Sequence, residues 1–412
     1  MAQQMTAAQI AQNNANFFQL TNWVQGLMVS NDNVYKTGKT LTFTFEPTGG
    51  YARGIWVTGT VDVNVALATG GSIELAKTSF YGLFSELRVK LGNTIHQVHP
   101  YFFSLVNRFS NSSGQSFAYQ GTQPQPWVTN YLFGSYNGST TSNSFLLNSG
   151  DNIWTFAFYV PLQFEPNNSD GLVPLGTSAN KLTLELDTAQ NLLSTDGFFS
   201  PVIDVNVGTS GTNTVSVGTS VASTINCIVE YSNLLTLTNP TSRIAIPAPI
   251  IQQAVYCRDT VANYPSFGNW LYARFEEPYV FERLVAVLYD NYTGVNSTTD
   301  PGAFASQKNI QGIRLNYDGQ TTALEYSPFT GGTIPYWMNV KDKYGNSFDQ
   351  GIIPFDFSSG HDPKNPSGLN LLNAEAFTQA RVGIQYTNPS SGTAPNGAYI
   401  RLFGQYLVPQ AY

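Results

Sequence analysis

The chain has 412 residues, more than one ordinary hydrophobic core needs, and fits two domains of about 200 residues each. Its 42% apolar content excludes intrinsic disorder, yet charged residues make up only 11%, against about 25% in an average protein. The net charge is −7 and no basic cluster occurs, which argues against direct binding to a nucleic-acid backbone. A surface this poor in charge is normally covered by Asn, Ser, Thr, Gln and Gly, all plentiful here. The alternative is that much of it is buried against copies of the same chain, because obligate interfaces are depleted of charge.

The first thirty residues contain no charged side chain, and the first charged residue is Asp32. Their apolar residues recur at steps of three, four and seven, which predicts one face of an amphipathic helix. We therefore predict a helical, inward-facing N-terminal arm over residues 1–37, with a membrane- or partner-facing side made of Ile10, Phe17, Leu20, Val24, Leu27 and Met28. Two interpretations stay open: the face packs on its own domain or a neighbouring subunit, or it lies on a lipid surface.

Two features of the sequence bear on its compartment. The chain begins without a basic segment followed by an apolar run, and it has no stretch of about 18 apolar residues. We therefore expect no secretion signal and no membrane-spanning helix, and we expect synthesis and assembly in the cytoplasm. The two cysteines, Cys227 and Cys257, make no disulfide framework, so free thiols are expected, although a single bridge between them stays open.

From residue 40 onward, apolar and polar residues alternate with a period of two, which predicts half-buried β-strands. The predicted strands of the first half are residues 40–47, 57–67, 86–92, 152–164, 181–187, 202–208, 214–218 and 225–231. A helix is predicted around residues 101–109. The stretch 110–150 is rich in Ser, Gly, Asn and Gln and predicts a long exposed loop.

Residues 238–250 carry three prolines and interrupt the alternation, so we place the domain junction there. Predicted strands then resume at residues 271–291, 310–326, 351–357, 380–386 and 398–408, with a short helix at 335–345. This organisation predicts a first domain over residues 38–240 and a second over residues 241–412.

The two halves repeat the same segments in the same order. YVPLQF (159–164) is matched by IIPFDF (352–357), FEP (45–47) by FEEP (275–278), and LRVKLGN (87–93) by IRLNYDG (313–319). Because several matched segments in one order are not chance, the sequence predicts a duplicated antiparallel domain. The proline in each phrase donates no ladder hydrogen bond, so we expect it at a bulge, a strand end or a sheet edge.

About eight strands in each half, with long loops and a helix-bearing insertion, predict two tandem eight-stranded jelly rolls in an all-β protein. This organisation resembles the double jelly-roll major capsid proteins of tectiviruses, adenovirus hexon and large DNA viruses. The segment AFYVPLQFEPNNSDGLVPL with KLTLELD (157–187) is similar to the tectivirus pattern. A second segment looks like the "PF…PSGxxN" pattern of the large viruses, carried here by Pro354, Phe355, Pro366, Ser367, Gly368 and Asn370. The Ser-Arg-Ile-Asp that often continues that pattern is replaced by residues 371–374, Leu-Leu-Asn-Ala.

The resemblance implies a structural protein of the virion that self-assembles into pseudo-hexagonal homotrimers, because three chains supply six similar sandwiches. It further implies contacts with neighbouring trimers and with penton and minor capsid proteins, outward loops at 110–150 and 291–309, and an N-terminal arm directed toward an internal membrane. The alternative that stays open is a secreted carbohydrate-binding or adhesin β-sandwich, which would carry an aromatic platform beside carboxylates.

No sequence pattern points to an active site, so we expect no enzymatic activity and no cofactor. There is no Gly-x-Ser-x-Gly elbow, P-loop or dinucleotide fingerprint. His96 and His99 lie three apart, which in a strand places them on opposite faces. We therefore expect no metal site and interpret one of these histidines as a satisfied polar contact near a strand end.

Overall fold

In the computed structural model the chain consists mainly of β-strands, with few helical residues. The structure describes residues 23–46, 50–76, 78–103, 132–135, 138–140, 145–162, 172–175, 181–194, 200–232, 250–256, 270–275, 280–290, 310–317, 321–326, 332–344, 352–356, 372–373, 380–386 and 398–409. All structural statements below concern these residues.

The strands are numbered in chain order. They are β1 (Trp23–Leu27), β2 (Thr40–Phe45), β3 (Gly50–Ala66), β4 (Ser72–Leu75), β5 (Phe84–Leu91), β6 (Asn93–Val98), β7 (Leu132–Ser135), β8 (Gly138–Thr140), β9 (Phe145–Leu147), β10 (Gly150–Pro161), β11 (Val173–Leu175), β12 (Leu182–Thr188), β13 (Leu193–Ser194), β14 (Val202–Asn206), β15 (Thr214–Val217), β16 (Thr224–Ser232), β17 (Ile250–Tyr256), β18 (Trp270–Phe275), β19 (Val280–Asp290), β20 (Ile310–Tyr317), β21 (Thr321–Tyr326), β22 (Ile352–Asp356), β23 (Leu372–Asn373), β24 (Ala380–Tyr386) and β25 (Ala398–Pro409). The helical segments are a 3₁₀ helix (Ser79–Leu83), α1 (residues 101–103) and α2 (Ile334–Tyr344).

In the first half, two sheets enclose one core. One sheet has the order β1-β16-β3-β10 and the other the order β2-β12-β5-β6. The predicted alternation is confirmed, since Leu41 and Phe43 of β2 are buried and Thr40 and Thr42 are exposed. The inward side chains of the two sheets meet in the core, where the ring centroid of Phe84 in β5 lies 6.0 Å from that of Phe156 in β10.

The second half repeats this arrangement strand for strand. β17, β25, β19 and β22 lie side by side as β1, β16, β3 and β10 do, and β18, β24, β20 and β21 repeat β2, β12, β5 and β6. Each half therefore contains two sets of four neighbouring antiparallel strands in the jelly-roll order, within the larger sheets of the chain. We call the halves the first roll and the second roll. The predicted duplication is confirmed at the level of strand order.

The repeat also holds at the level of strand register. Phe45 pairs with Leu182 in the first roll, and Phe275 pairs with Ala380 in the second, so the FEP and FEEP segments begin at equivalent positions. The register between β5 and β6 shifts after Val89, and the register between β20 and β21 shifts after Leu315. Each shift corresponds to one extra residue in one strand, a β-bulge, and its presence at the same place in both rolls is expected if the strand pair was duplicated.

The two repeated prolines occupy the positions that the sequence predicts. Pro161 is the last residue of β10, and Pro354 lies in β22, the edge strand of its sheet. Pro161 pairs with Gly54 of β3, and Pro354 pairs with Val285 of β19. Gly54 and Val285 are therefore equivalent positions in the two rolls.

The rolls are joined through a shared sheet. β6 of the first roll lies beside β17 of the second, where Gln97 and Val255 make a parallel bridge. Next to this bridge, the ring of Phe102 in α1 stacks on Phe403 in β25, with centroids 5.4 Å apart and planes inclined by 15°. The first roll thus contributes a strand edge and a helix to the junction, and the second contributes its first strand and one face of a sheet.

The predicted helical arm is wrong for residues 23–27, which form β1. This strand pairs antiparallel with β16, and its backbone groups there bond to a strand about two hundred residues away in the sequence. Gly26 weakens a helix at this point, and a Cβ there would lie 2.6 Å from the Phe45 ring, so a larger residue would have to displace that ring. The first roll therefore includes β1, which precedes the predicted start at residue 38. Residues 1–22 and the predicted boundary at 240–241 lie outside the described residues.

Other predictions are confirmed in part. The helix predicted at 335–345 is α2, and α1 covers the described portion of the helix predicted at 101–109. The long loop predicted over residues 110–150 is wrong where it is described, because β7, β8 and β9 lie within it. β8 and β9 extend a third sheet in the order β13-β14-β4-β9-β8. The loop predicted at 291–309 lies outside the described residues.

Candidate assembly surfaces

Large apolar side chains are exposed at two places in the described part of the chain. Four lie on or just after β1, and we call them the apolar edge: Val24, Leu27, Val29 and Val34, which are 36%, 65%, 67% and 41% exposed. Two others lie on α2: Ile334 and Met338, which are 68% and 60% exposed. Val207 is the seventh exposed large apolar residue of the described chain and lies at neither place. Exposed apolar residues at these two places make them candidates for an interaction surface.

The predicted arm residues are divided between this surface and the core. Val24 and Leu27 belong to the apolar edge but lie three apart in β1 and so face opposite sides of the strand. Their contact with a membrane or a partner stays a prediction. Met28 does not belong to this edge, because its side chain is 3% exposed and its backbone N–H donates to the carbonyl oxygen of Cys227, 2.9 Å away. A strand turns consecutive side chains to opposite faces, so Leu27 and Met28 cannot share one face as they would in a helix. Ile10, Phe17 and Leu20 lie outside the described residues.

The outward side of the sheet containing β1, β16, β3 and β10 carries an aromatic and charged cluster that the sequence did not reveal. We call this side the outer face of the first roll. The carboxylate of Glu230 accepts hydrogen bonds from Arg53 Nε (2.9 Å), Trp56 Nε1 (3.1 Å) and Tyr159 Oη (3.2 Å). The Arg53 guanidinium also lies 4.6 Å from the ring centroid of Trp23. These side chains come from four strands, so only the folded sheet brings them together.

The ionisation of Glu230 follows from these contacts. Burial alone would raise the pKa of Glu230, but hydrogen bonds from Trp56 and Arg53, and the positive charge of Arg53, outweigh it and hold the pKa below its usual value. Glu230 is therefore a charged acceptor with its oxygen atoms occupied by three donors. Such a cluster stiffens a half-buried surface and does not leave a carboxylate free for acid–base chemistry.

A similar cluster lies on the sheet of β18, β24, β20 and β21 in the second roll. Arg314 Nε donates to Glu325 Oε2 over 3.0 Å, and an Arg314 terminal nitrogen donates to Tyr272 Oη over 2.9 Å. The guanidinium lies 4.1 Å from the ring centroid of Trp270. In the first roll the equivalent arginine, Arg88, bonds to Glu86, Glu185 and Asp187. Both rolls therefore place a paired arginine at one position of the repeated strand.

Both histidines of the described residues make hydrogen bonds within the first roll. His96 is buried in β6, and its Nε2–H donates to the carbonyl oxygen of Pro161 over 3.0 Å. His99 follows the strand and accepts a hydrogen bond from the Tyr101 backbone N–H at Nδ1, 3.2 Å away. Within the described residues no group of three or more His, Cys, Asp or Glu side chains is placed to hold a metal ion. Cys227 is a buried free thiol, and Cys257 lies outside the described residues.

His96 makes the stability of the fold depend on pH. Burial lowers the pKa of His96 to about 4, and its hydrogen bond to Pro161 only partly opposes this. Between an unfolded pKa of about 6.5 and the folded value, the unfolded chain takes up a proton that the folded chain does not, so stability falls as the pH falls. We expect His96→Gln, which keeps an N–H donor, to remove about 2–3 kcal/mol of the stability loss between pH 7 and pH 4.5. Urea unfolding at both pH values measures this, and an unchanged loss would contradict it.

No helix in the described residues is long and apolar enough to cross a membrane.

Two eight-stranded jelly rolls that share a sheet in one chain make a double jelly roll, so the predicted fold class is confirmed. No protein-family model and no curated protein matches the sequence. Solved structures do match over nearly the whole chain. The quasi-atomic model of the PBCV-1 virus capsid is 14% identical, with a TM-score of 0.60 and coverage of 94% of each chain.

Two further solved structures have the same fold. PBCV-1 VP54, fitted into a cryo-EM reconstruction of the virophage Sputnik, is 14% identical with a TM-score of 0.59, and the match covers 94% of each chain. A chain in the atomic structure of Sulfolobus Turreted Icosahedral Virus is 10% identical with a TM-score of 0.52, covering 94% of this chain and 91% of that one. At these identities the likeness is one of fold.

Proposed function

We propose that this chain is the major capsid protein of an icosahedral virus, a structural tile and not an enzyme. The observation that carries the proposal is the duplication of one jelly roll within one chain, strand for strand and with the same register shift. A duplicated sandwich lets three chains present six similar units, which is the geometry that a pseudo-hexagonal tile requires. The capsid structures that share the fold support this proposal.

The proposed partners are other copies of the chain, first within a homotrimer and then between neighbouring trimers. Penton and minor capsid proteins would fill the remaining positions of the shell. The protein would be located in the virion and assemble in the host cytoplasm. Direct contact with nucleic acid is not part of the proposal, since the chain has 19 Lys and Arg against 26 Asp and Glu and no basic cluster.

We retain the N-terminal arm in a shorter form. Residues 1–22 precede β1, carry no charge, and include Ile10, Phe17 and Leu20 of the predicted apolar face. We propose that they contact a partner subunit or an internal lipid membrane, next to the apolar edge. We also keep the division between the rolls at residues 240–241, with the first roll beginning at β1.

The carbohydrate-binding alternative has one feature in its favour, which is the presence of Trp56 and Tyr159 beside Glu230. In this cluster, however, the polar atoms of both aromatic side chains point at the carboxylate of Glu230 and bond to it. The same atoms would have to bond to sugar hydroxyls in a glycan site. The cluster therefore supports a stiff protein surface better than a sugar platform, and a glycan array with no bound sugar is the expected result.

The proposal is tested by light scattering and negative-stain electron microscopy of the purified full chain. We expect a particle with the mass of three 45.1 kDa chains and a pseudo-hexagonal outline. A stable monomer at micromolar concentration would contradict the proposal, because a tile of this kind depends on burial between its subunits.

A further inference from the structure

We infer that a second copy of this chain docks by repeating the junction between the two rolls, so that β21 and α2 of one copy meet β1 and the outer face of the first roll of the next. The inference rests on the proposed assembly of several copies. It goes further by naming the two surfaces and the strand register between them.

The junction within the chain has two contacts. The edge of β6 pairs with β17 through Gln97 and Val255, and Phe102 of α1 stacks on Phe403 of β25. Phe403 pairs with Val285, as Glu230 pairs with the equivalent Gly54, so Phe403 occupies the position that Glu230 holds on the outer face of the first roll. Phe102 of α1 therefore covers the position on the second roll that corresponds to Glu230 on the first.

The equivalent surfaces have no such cover in the described part of the chain. β21, the counterpart of β6, is the last strand of its sheet, and β1, the counterpart of β17, is the last strand of its own. Edge strands present unpaired N–H and C=O groups and accept a further strand. One copy thus carries both halves of a junction, at opposite ends of the repeated arrangement, as a ring of identical copies requires.

The repeat fixes the register of the β21 end of this contact. In the first roll Gln97 pairs with Arg88, and in the second roll Glu325 pairs with Arg314. Arg88 and Arg314 are equivalent in LRVKLGN and IRLNYDG. Glu325 is therefore the counterpart of Gln97.

The register of the β1 end follows in the same way. Tyr256 pairs with Phe403, and Gln25 pairs with Glu230, so Gln25 is the counterpart of Tyr256. One residue earlier, Val24 is the counterpart of Val255. The bridge between Gln97 and Val255 thus predicts a parallel bridge between Glu325 of one copy and Val24 of the next.

The helices supply independent support. Pro100-Tyr101-Phe102-Phe103 at α1 corresponds to Pro335-Tyr336-Trp337-Met338 at α2. Phe102, which stacks on Phe403, is 1% exposed, whereas its counterpart Trp337 is only partly buried and the next residue of α2, Met338, is 60% exposed. Four of the seven exposed large apolar residues in the described chain, Val24, Leu27, Ile334 and Met338, lie on the two surfaces that would meet. Docking of the two surfaces would cover these side chains, Leu27 on the outer face and Val24 on the opposite side of β1, and would remove their apolar area from water.

The central strands of the two rolls, β3 and β19, differ in how far their outer faces are buried. Residues 283–288 of β19 are buried on both faces, whereas Trp56, Thr58 and Thr60 on the outer face of β3 are half-buried. The strands hold equivalent places, so the difference reflects what lies over them. The second roll contacts the first roll of the same chain, and the outer face of the first roll would be covered by another copy.

The first experiment places a charge on each surface of the full-length protein. We expect Leu27→Asp and Met338→Asp each to raise the concentration at which the assembly dissociates by roughly tenfold or more, because a buried unpaired charge is costly. Val207→Asp is the matched control, since Val207 is 67% exposed and lies on neither surface. All three sites are more than half exposed in the single chain. Circular dichroism should therefore show unchanged folding.

The second experiment tests the register with cysteines. Neighbouring strands lie about 4.8 Å apart, within the range of roughly 4.4–6.8 Å between Cα atoms that a disulfide spans. We expect the double variant Val24→Cys with Glu325→Cys to form, under mild oxidation, covalent products of up to three chains. Val207→Cys with Glu325→Cys should leave single chains on a non-reducing gel.

The outcomes separate the inference from the proposed function. If the unmodified protein has the mass of three chains, but both aspartate variants behave as Val207→Asp and no cross-link forms, the inference is overturned and the proposed function stands. If the unmodified protein stays a single chain, both are overturned. Loss of assembly in the two aspartate variants together with the specific cross-link supports both.

Discussion

Trp154→Ala is expected to lower the free energy of unfolding by about 3–5 kcal/mol, since it removes the largest side chain of the core. Trp154 is 0% exposed in the middle of β10, where it pairs with Val61 of β3 and Gly134 of β7. Truncation leaves a cavity between the two sheets. Because β10 is hydrogen-bonded to β3 on one side and to β7 on the other, the surrounding backbone cannot move to fill the cavity. Urea unfolding followed by circular dichroism measures the change.

Trp154→Phe is the control for this prediction. The indole Nε1 of Trp154 is buried without a hydrogen-bond partner in the described residues, so phenylalanine loses ring volume but no hydrogen bond. We expect a cost of about 1–2 kcal/mol, well below that of alanine. Equal costs for the two variants would mean that the volume of this side chain does not set the stability of the first roll.

Gly50→Ala is expected to cost about 3–5 kcal/mol and to separate the beginning of β3 from β16. Gly50 has a φ of +105°, and a Cβ there would lie 1.8 Å from the carbonyl oxygen of Ser232. The obstacle is backbone in a paired strand, so it cannot move as a flexible side chain would. Hydrogen exchange of the β16 amides, together with urea unfolding, measures the effect.

Gly332→Ala separates the two causes of that cost. Gly332 has a φ of +82°, but a Cβ there would meet nothing within 4 Å. Only the left-handed backbone is unfavourable for alanine, and we expect a cost of about 1–2 kcal/mol. If Gly50→Ala cost no more than Gly332→Ala, the predicted collision with Ser232 would be refuted.

Much of the fold follows from local patterns in the sequence. Alternation of apolar and polar residues predicts strands such as β2 and β12, because a sheet with one buried face requires it. The repeated phrases predict the duplication, and the two prolines predict a strand end and a sheet edge. These features depend on residues close together in the chain, so the sequence alone is enough to recognise them.

Other features depend on contacts between distant residues. Val24, Leu27 and Met28 fit the spacing of a helix as well as that of a strand, and only pairing with β16 decides between the two. In the cluster around Glu230, Arg53 and Trp56 each bond to a carboxylate that lies more than one hundred residues away in the sequence. A sequence pattern predicts which residues face outward, but it does not show which of them meet.

The double burial of β19 has a consequence for the order in which the chain folds. In the same sheet, Phe403 of β25 is covered by Phe102 of the first roll. That part of the sheet is therefore closed only when the first roll is in place, whereas the first roll already has a core of its own. Synthesis proceeds from the N-terminus, so the first roll leaves the ribosome before the strands that need it. The order of the rolls along the chain thus provides a folded first roll by the time that the second roll emerges, so β19 can be buried soon after its synthesis.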